Sequence, residues 1–243
     1  MGFFVALQFL TTIPSPFRRA LAAELNASAV DHFTLVGLLL GLIVAGLDAL
    51  LGVVFPPSLV GALVIVSLVL LTGALHLDGF MDTCDGIFNR SSPERRLEIM
   101  RDSRVGAFGV VGLASLFLVK YAALVSLPMQ VQPAGLVLMA TTSRLAISYA
   151  VVCFPYGRPS GLGAPFQGGR RAFALGLNTL FVVTLAYFLF GLLGIGALLA
   201  VAVSVWLGAL YIRTKIPGLT GDTYGALSEF SEVLVLLVLV VGR

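Results

Sequence analysis

Charge is scarce in this chain. Of its 243 residues only 11% are charged, 58% are hydrophobic, and the mean hydropathy is +1.03. A soluble domain carries about 25% charged residues, so a soluble globule is excluded, and the apolar excess excludes a disordered chain. Cysteine is scarce too: Cys84 and Cys153 form neither a disulfide frame nor a spaced metal set. Residues 1–14 lack the basic start of a secretory signal, and Ala6 stands where a myristoylation motif needs a hydroxyl. This short apolar start, followed by Arg18 and Arg19, reads as an interfacial helix. Neither an internal repeat nor a low-complexity tract is evident. The net charge of +3 does not point to nucleic acid, because basic residues flank membrane spans for topological reasons.

What the chain does have is long apolar runs. A helical span needs about 20 apolar residues. Seven runs approach that length: 33–55, 59–75, 105–127, 134–154, 172–193, 197–212 and 225–241. They are continuously apolar rather than alternating, which excludes barrel strands, and a helix satisfies every backbone group within its own segment. The expected fold is therefore all-α. It is a polytopic integral membrane bundle of about seven transmembrane helices plus the N-terminal interfacial helix, one domain over residues 1–243.

The basic residues set the orientation. Arg18, Arg19, Arg90, Arg95, Arg96, Arg101, Arg104, Arg158, Arg170, Arg171, Arg213 and Lys215 fall in the N-terminal segment and in alternate connections, while the intervening short turns carry none. The positive-inside rule makes that side cytoplasmic. Eleven of the twelve acidic residues lie in or beside the same connections, and only Asp48 sits toward the other end of a span. Chemistry is expected on the cytoplasmic face, lipid being the surrounding partner.

Three acidic groups carry the argument. In HLDGFMDTCDG, Asp78, Asp82 and Asp85 are spaced i, i+4, i+7, which is one face of a helix. Like charges so placed repel, and more strongly near lipid, unless a cation neutralises them. An all-oxygen set selects Mg²⁺, Mn²⁺ or Ca²⁺ over zinc; otherwise the aspartates simply face water. In RRLEIMRDSRVG, Ser92-Pro93 starts a short helix over 93–102, with Glu98 and Asp102 again i, i+4. Its Arg101 and Arg104 either hold phosphates, as guanidinium forks do, or serve topology and ion pairs. In GLTGDTYGALSEFSE, Asp222, Glu229 and Glu232 approach or enter the last span, and an intramembrane carboxylate marks function by default.

Other polar residues are isolated. Arg144 in the middle of the fourth run needs a pairing partner or an anionic ligand. Lys120 and Asp48 are expected to pair with each other. His76 either orients an aspartate or is an interface histidine. In the loop PYGRPSGLGAPF, Arg158 with glycines suits phosphate cradling, although it matches no Walker or dinucleotide fingerprint. Acids, arginines and a glycine-bearing loop on one face of a bundle suit metal-dependent phosphoryl transfer.

The motifs, in this order and over nearly the whole chain, resemble those of the cobalamin synthase family, the adenosylcobinamide-GDP ribazoletransferases of the last steps of vitamin B12 assembly. FFVALQFLTTIPSP, LVGLLLG, HLDGFMDTCDG, RRLEIMRDSRVGAFG, the TSR of the fourth span, GRPSGLGAPF and GLTGDTYGALSEFSE carry the resemblance. Cys84, where a smaller residue is expected, and Leu219, where a glycine is, are its small departures.

The resemblance implies a Mg²⁺-dependent transferase of a bacterial inner membrane, with its active site facing the cytoplasm. It would join adenosylcobinamide-GDP to α-ribazole or α-ribazole 5′-phosphate and release GMP. Asp78, Asp82, Asp85, Asp222 and Glu229 would be the metal set, and Asp82, Asp85, Asp102 and Glu229 the catalytic carboxylates. Arg101, Arg104, Arg144, Arg158, Gly161, Gly163, Thr220 and Gly221 would bind substrate phosphates. Self-association, or a complex with other cobalamin-assembly enzymes, is left open. A membrane phosphotransferase of the CDP-alcohol type shares the metal logic and differs in substrate. A cation-coupled transporter would need its charges spread through the bilayer depth, whereas these collect on one face.

Overall fold

A computed structural model describes residues 2–14, 27–159, 161, 166 and 172–242. The described residues form nine α-helices: α1 Gly2–Leu10, α2 Phe33–Leu51 (entered through a 3-10 turn, Ala27–His32), α3 Pro57–Thr72, α4 Leu75–Ile87, α5 Pro93–Ile99, α6 Ala107–Ser126, α7 Gln132–Cys153, α8 Ala172–Arg213 and α9 Gly221–Val241. Local chemistry marks several starts. Proline occupies the first turn of α3, α5 and α7, where its missing N–H costs nothing. The Ser92 hydroxyl accepts from Arg95 N at the start of α5, and Thr220 and Thr223 cap α9 reciprocally. The short helix expected over 93–102 is α5, closing at Ile99.

Among the described residues five helices are long and apolar enough to cross a membrane, or six if the bent pair α3–α4 counts as one span. One of the five, α8, is itself two arms. Gly191 sits at φ 57°, ψ −136°, a conformation open to glycine and strained for other residues. The chain folds back there, because Thr179 and Val183 of the first arm share one apolar cavity of about 310 Å³ with Ala202 and Val205 of the second. The seven apolar runs are thus α2, α3, α6, α7, the arms of α8, and α9. The turn falls at Gly191, ahead of the glycines at 194 and 196 that separate the runs in the sequence.

Between α3 and α4 the chain turns by 91° through two residues with positive φ, Gly73 (59°) and Ala74 (58°). At 13 residues α4 is too short to span. The stretch between the second and third apolar runs is formed by α4 and α5.

Helices α7 and α9 form the centre. Gly37 and Gly41, one turn apart on α2, let it lie directly on the α7 backbone: a Cβ at Gly41 would stand 2.8 Å from Val137 Cα. Helix α9 packs against α4, α6, α7 and α8. The outward faces of α6 and α8 carry Leu118, Phe188 and Leu192, all exposed, as a lipid-facing surface requires.

Buried charges tie the centre together. Lys120 of α6 does not meet Asp48. Its Nζ lies 2.6 Å from Glu229 and 2.8 Å from Glu232 on α9, because this face of α6 turns to α9 while α2 packs on α7. Arg144 of α7, fully buried, pairs with Glu232 and donates to Ser143 Oγ at 2.7 Å. Two cations thus neutralise two carboxylates across three helices, the condition under which buried charge is tolerated. Asp48 is buried on α2, and its Oδ1 has no hydrogen-bond partner among the described residues.

Candidate active site

The site begins where α4 crosses α9. At the crossing both helices present glycine, and the backbones touch. A Cβ on Gly79 would stand 2.8 Å from Asp222 Cα, and one on Gly225 would stand 2.8 Å from the His76 carbonyl oxygen. Asp78 and Asp82 of α4 are thereby brought beside Asp222 in the first turn of α9, where a negative charge favours the helix N-terminus.

A short strap adds the cation. Tyr156 and Leu219 form a parallel bridge, with Gly157 N donating to Leu219 O at 2.7 Å and Leu219 N to Pro155 O at 2.9 Å. This fixes the chain after α7 to the chain before α9 and delivers Arg158 to Asp222 at 2.8 Å. Among the described residues no cation is paired with Asp82. Burial, then Asp78, Asp222 and Asp85, push its carboxyl up to about 7.

A cavity of about 330 Å³ opens against Asp78, Asp222 and Arg158; Asp82, one turn further along α4, stands beside it and does not line it. Asp78, Gly79, Gly221, Asp222, Arg101, Arg158 and Gly161 line its polar walls, and Phe9, Leu10, Ile147, Val151 and Phe166 its apolar ones, with His76, Tyr156 and Tyr224 between in character. Among the described residues no group of three His, Cys, Asp or Glu side chains is gathered closely enough to hold a metal ion alone. The oxygen-only donors Asp78 and Asp222 nevertheless suit a hard cation that takes one or two carboxylates and completes its shell with water and substrate phosphate, which is the habit of Mg²⁺.

Not every expected site residue is here. Asp85 points the other way: its two carboxylate oxygens accept from Gly106 N at 2.8 Å and Gly109 N at 2.9 Å, at the start of α6. It holds the otherwise unpaired N–H groups of a helix end, and so is not on the cavity. Asp102 and Arg104 form a local ion pair at 2.6 Å outside the cavity, with Arg104 largely exposed; its hydrogen bonds hold the Asp102 carboxyl down to about 2. Glu229 and Arg144 belong to the buried charge network, their charged ends already taken by Lys120 and Glu232. Thr220 caps α9, its hydroxyl 3.3 Å from Asp222 Oδ2. Gly163 lies outside the described residues.

Other residues escaped the sequence reading. Tyr156, Tyr224, Phe9 and Phe166 carry no charge to betray them; the one available signal was their position within motifs already singled out. Arg96 is buried and donates to the carbonyls of Ser91, Gly86 and Ile87, closing the end of α4, where a cation suits the helix dipole.

Acids and arginines at a glycine-built helix crossing, inside a polytopic bundle, define an integral-membrane enzyme with a site for a charged ligand. Residues 2–240 match the family model described as cobalamin-5-phosphate synthase, and the chain belongs to that family. A protein of Geotalea daltonii named adenosylcobinamide-GDP ribazoletransferase is 40% identical over 98% of this chain and 96% of its own length. One of the same name from Desulforamulus reducens is 39% identical over 98% and 96%, and one from Escherichia coli 36% identical over 98% of each chain. No solved structure matches this chain.

Proposed function

We infer that the chain catalyses the ribazole transfer for which its relatives are named, and that the cavity between α4, α9 and the Arg158 strap is where it does so. The chemistry joins adenosylcobinamide-GDP to α-ribazole or its 5′-phosphate. The ribazole 3′-oxygen forms a bond to the phosphorus that bears the cobinamide arm, the bond from that phosphorus to GMP breaks, and the hydroxyl proton passes to a carboxylate. The placement of Asp78, Asp82 and Asp222 with Arg158 at one helix crossing carries this reading.

Each side chain has a part. Arg158 and Arg101 are fixed-charge guanidinium groups suited to the diphosphate. Asp82, whose proton affinity is raised toward neutrality, suits a base that accepts the hydroxyl proton. Asp78 and Asp222 would hold Mg²⁺, which when bound neutralises charge on the phosphates. The basic residues of the connections on this side support a cytoplasmic orientation of the site. A homo-oligomer, or a complex with neighbouring cobalamin-assembly enzymes, is compatible with a site built from one chain.

The test is turnover by detergent-solubilised protein supplied with adenosylcobinamide-GDP, α-ribazole and Mg²⁺, with GMP read by chromatography. GMP appears with the wild type, falls at least about a hundredfold in Asp82→Asn, as loss of a general base implies, and disappears on chelation. A wild type that releases no GMP, or an Asp78→Asn, Asp82→Asn, Asp222→Asn variant that works normally, sinks the reading.

A further inference from the structure

The active-site cavity has walls of two kinds. Asp78, Asp222, Arg101 and Arg158 form one, while Phe9, Leu10, Ile147, Val151 and Phe166 form the other, without a charged group among them. The apolar wall is braced from behind. The rings of Phe9 and Phe166 meet edge-on at 4.9 Å, and Phe33, fully buried, lies 6.0 Å from the first and 5.4 Å from the second. A soft lipid-facing surface needs no such bracing; a wall that recognises shape does.

Volume separates the two substrates. At about 330 Å³ the cavity lies at the small end of the ~300–1,000 Å³ of small-molecule sites. A molecule of nucleoside size fills it. The GDP-activated partner carries a corrin macrocycle and a nucleotide diphosphate, so only its phosphate region enters. The acceptor, by contrast, is a flat apolar two-ring base joined to a hydroxyl-bearing sugar. It is divided into apolar and polar halves as the walls are.

We propose that this cavity is the acceptor pocket, in which Phe9, Phe166, Ile147 and Val151 grip the two-ring base, select which base is accepted, and turn the attached sugar toward Asp78 and Asp222. The proposal rests on the ribazole-transfer reading and adds the residues that choose the acceptor. It also gives α1 a second job. The N-terminal helix, which reads as an interfacial anchor, supplies Phe9 and Leu10 to the pocket, and Leu10 is fully buried.

The experiment measures kcat/KM of full-length protein in detergent with two acceptors, the α-ribosides of 5,6-dimethylbenzimidazole and of imidazole, at saturating adenosylcobinamide-GDP. In Val151→Ala, which removes two carbons, the preference for the larger base falls about tenfold, the size of effect one or two missing carbons have in an apolar pocket; in Phe9→Ala, which removes six, it falls at least as far. The KM for adenosylcobinamide-GDP stays within about twofold, since the wall does not touch it. A purely structural role for Phe9 would lower the rate with both acceptors together and leave their ratio alone. A changed ratio in either variant, with that KM steady, supports the pocket. An unchanged ratio in both overturns it, as does a ratio that changes together with a like rise in the KM for adenosylcobinamide-GDP. Failure of the underlying reading looks different: the wild type then releases GMP with neither acceptor.

Discussion

Arg158 Nη1 lies 2.8 Å from Asp222 Oδ2, and both side chains reach the cavity from loops or helix ends held by the Tyr156–Leu219 bridge. The pair is screened from water on the Arg158 side, whose side chain is 8% exposed. Arg158→Ala is therefore expected to lower kcat/KM by about tenfold to a hundredfold, the worth of the ~1.5–3 kcal/mol of a charged hydrogen bond. Arg158→Lys, which keeps the charge but loses the fork, recovers part of it. Equal activity in wild type and Arg158→Ala would remove this residue from the site.

The helix crossing makes a sharper demand. In Gly79→Ala and Gly225→Ala the new methyl meets backbone, so the helices must move apart, at about 1–3 kcal/mol for overpacking, and activity falls with stability. Gly46, on α2, has nothing within 4 Å of an added Cβ. Gly46→Ala is the matched control, and its thermal unfolding in detergent should be unchanged or raised.

Glu232 answers to Lys120, Arg144 and Ser143 at once. Glu232→Gln leaves two buried cations facing one carboxylate and is expected to cost about 3–5 kcal/mol, seen as a large drop in unfolding temperature or loss of folded protein. Removing both partners in Arg144→Met, Glu232→Leu should cost less than the two single changes together, because no uncompensated charge remains. Additive losses would show that the two do not interact.

Asp85 and Asp82 lie on one helix yet should behave oppositely. Asp85→Ala removes the acceptor of Gly106 N and Gly109 N and is expected to destabilise by ~1–2 kcal/mol, as loss of a helix cap does, while the folded fraction keeps most of its activity. Asp82→Asn should keep the fold and lose the activity. If the folded Asp85→Ala protein is as dead as Asp82→Asn, the cap is not the whole of its role.

With its carboxyl raised to about 7, Asp82 also sets a pH dependence. The charged form, able to take a proton, appears only above that value, so kcat/KM should climb with pH through about 7 and the climb should vanish in Asp82→Asn. Stability runs the other way. A carboxyl raised on folding contributes fully below its ordinary value near 3.8, and the contribution is lost as pH rises toward 7. Raising Mg²⁺ from subsaturating to saturating should shift the climb to lower pH. Asp102, held low by Arg104 at the surface, has the opposite sign: its small contribution is present at neutral pH and lost only as pH falls below about 4 toward 2. A flat profile across pH 6–8 at a fixed, subsaturating Mg²⁺ concentration would contradict the role given to Asp82.

Much of this was legible in the residues. Apolar runs gave the helices because a helix closes its own hydrogen bonds. The Asp78–Asp82 spacing gave a shared face because both lie on one helix. The choice of partner was not legible when two helices were involved. Depth alone matches Lys120 to Asp48, and only the rotation of α6 about its axis sends it to Glu229 and Glu232. Asp85 looked like a third ligand because one helical face held all three aspartates. That face is wide enough for its last residue to meet α6 instead. The bend at Gly73-Ala74 and the fold-back at Gly191 depend on single backbone torsions, on which hydropathy is silent.

At Gly79 and Gly225 the main chains of α4 and α9 are already in contact, so the spacing of the acids is fixed by the thickness of two backbones rather than by any side chain. The apolar wall is made of replaceable groups on other elements. Acceptor choice can therefore be redesigned one wall residue at a time, while the chemical centre keeps its dimensions.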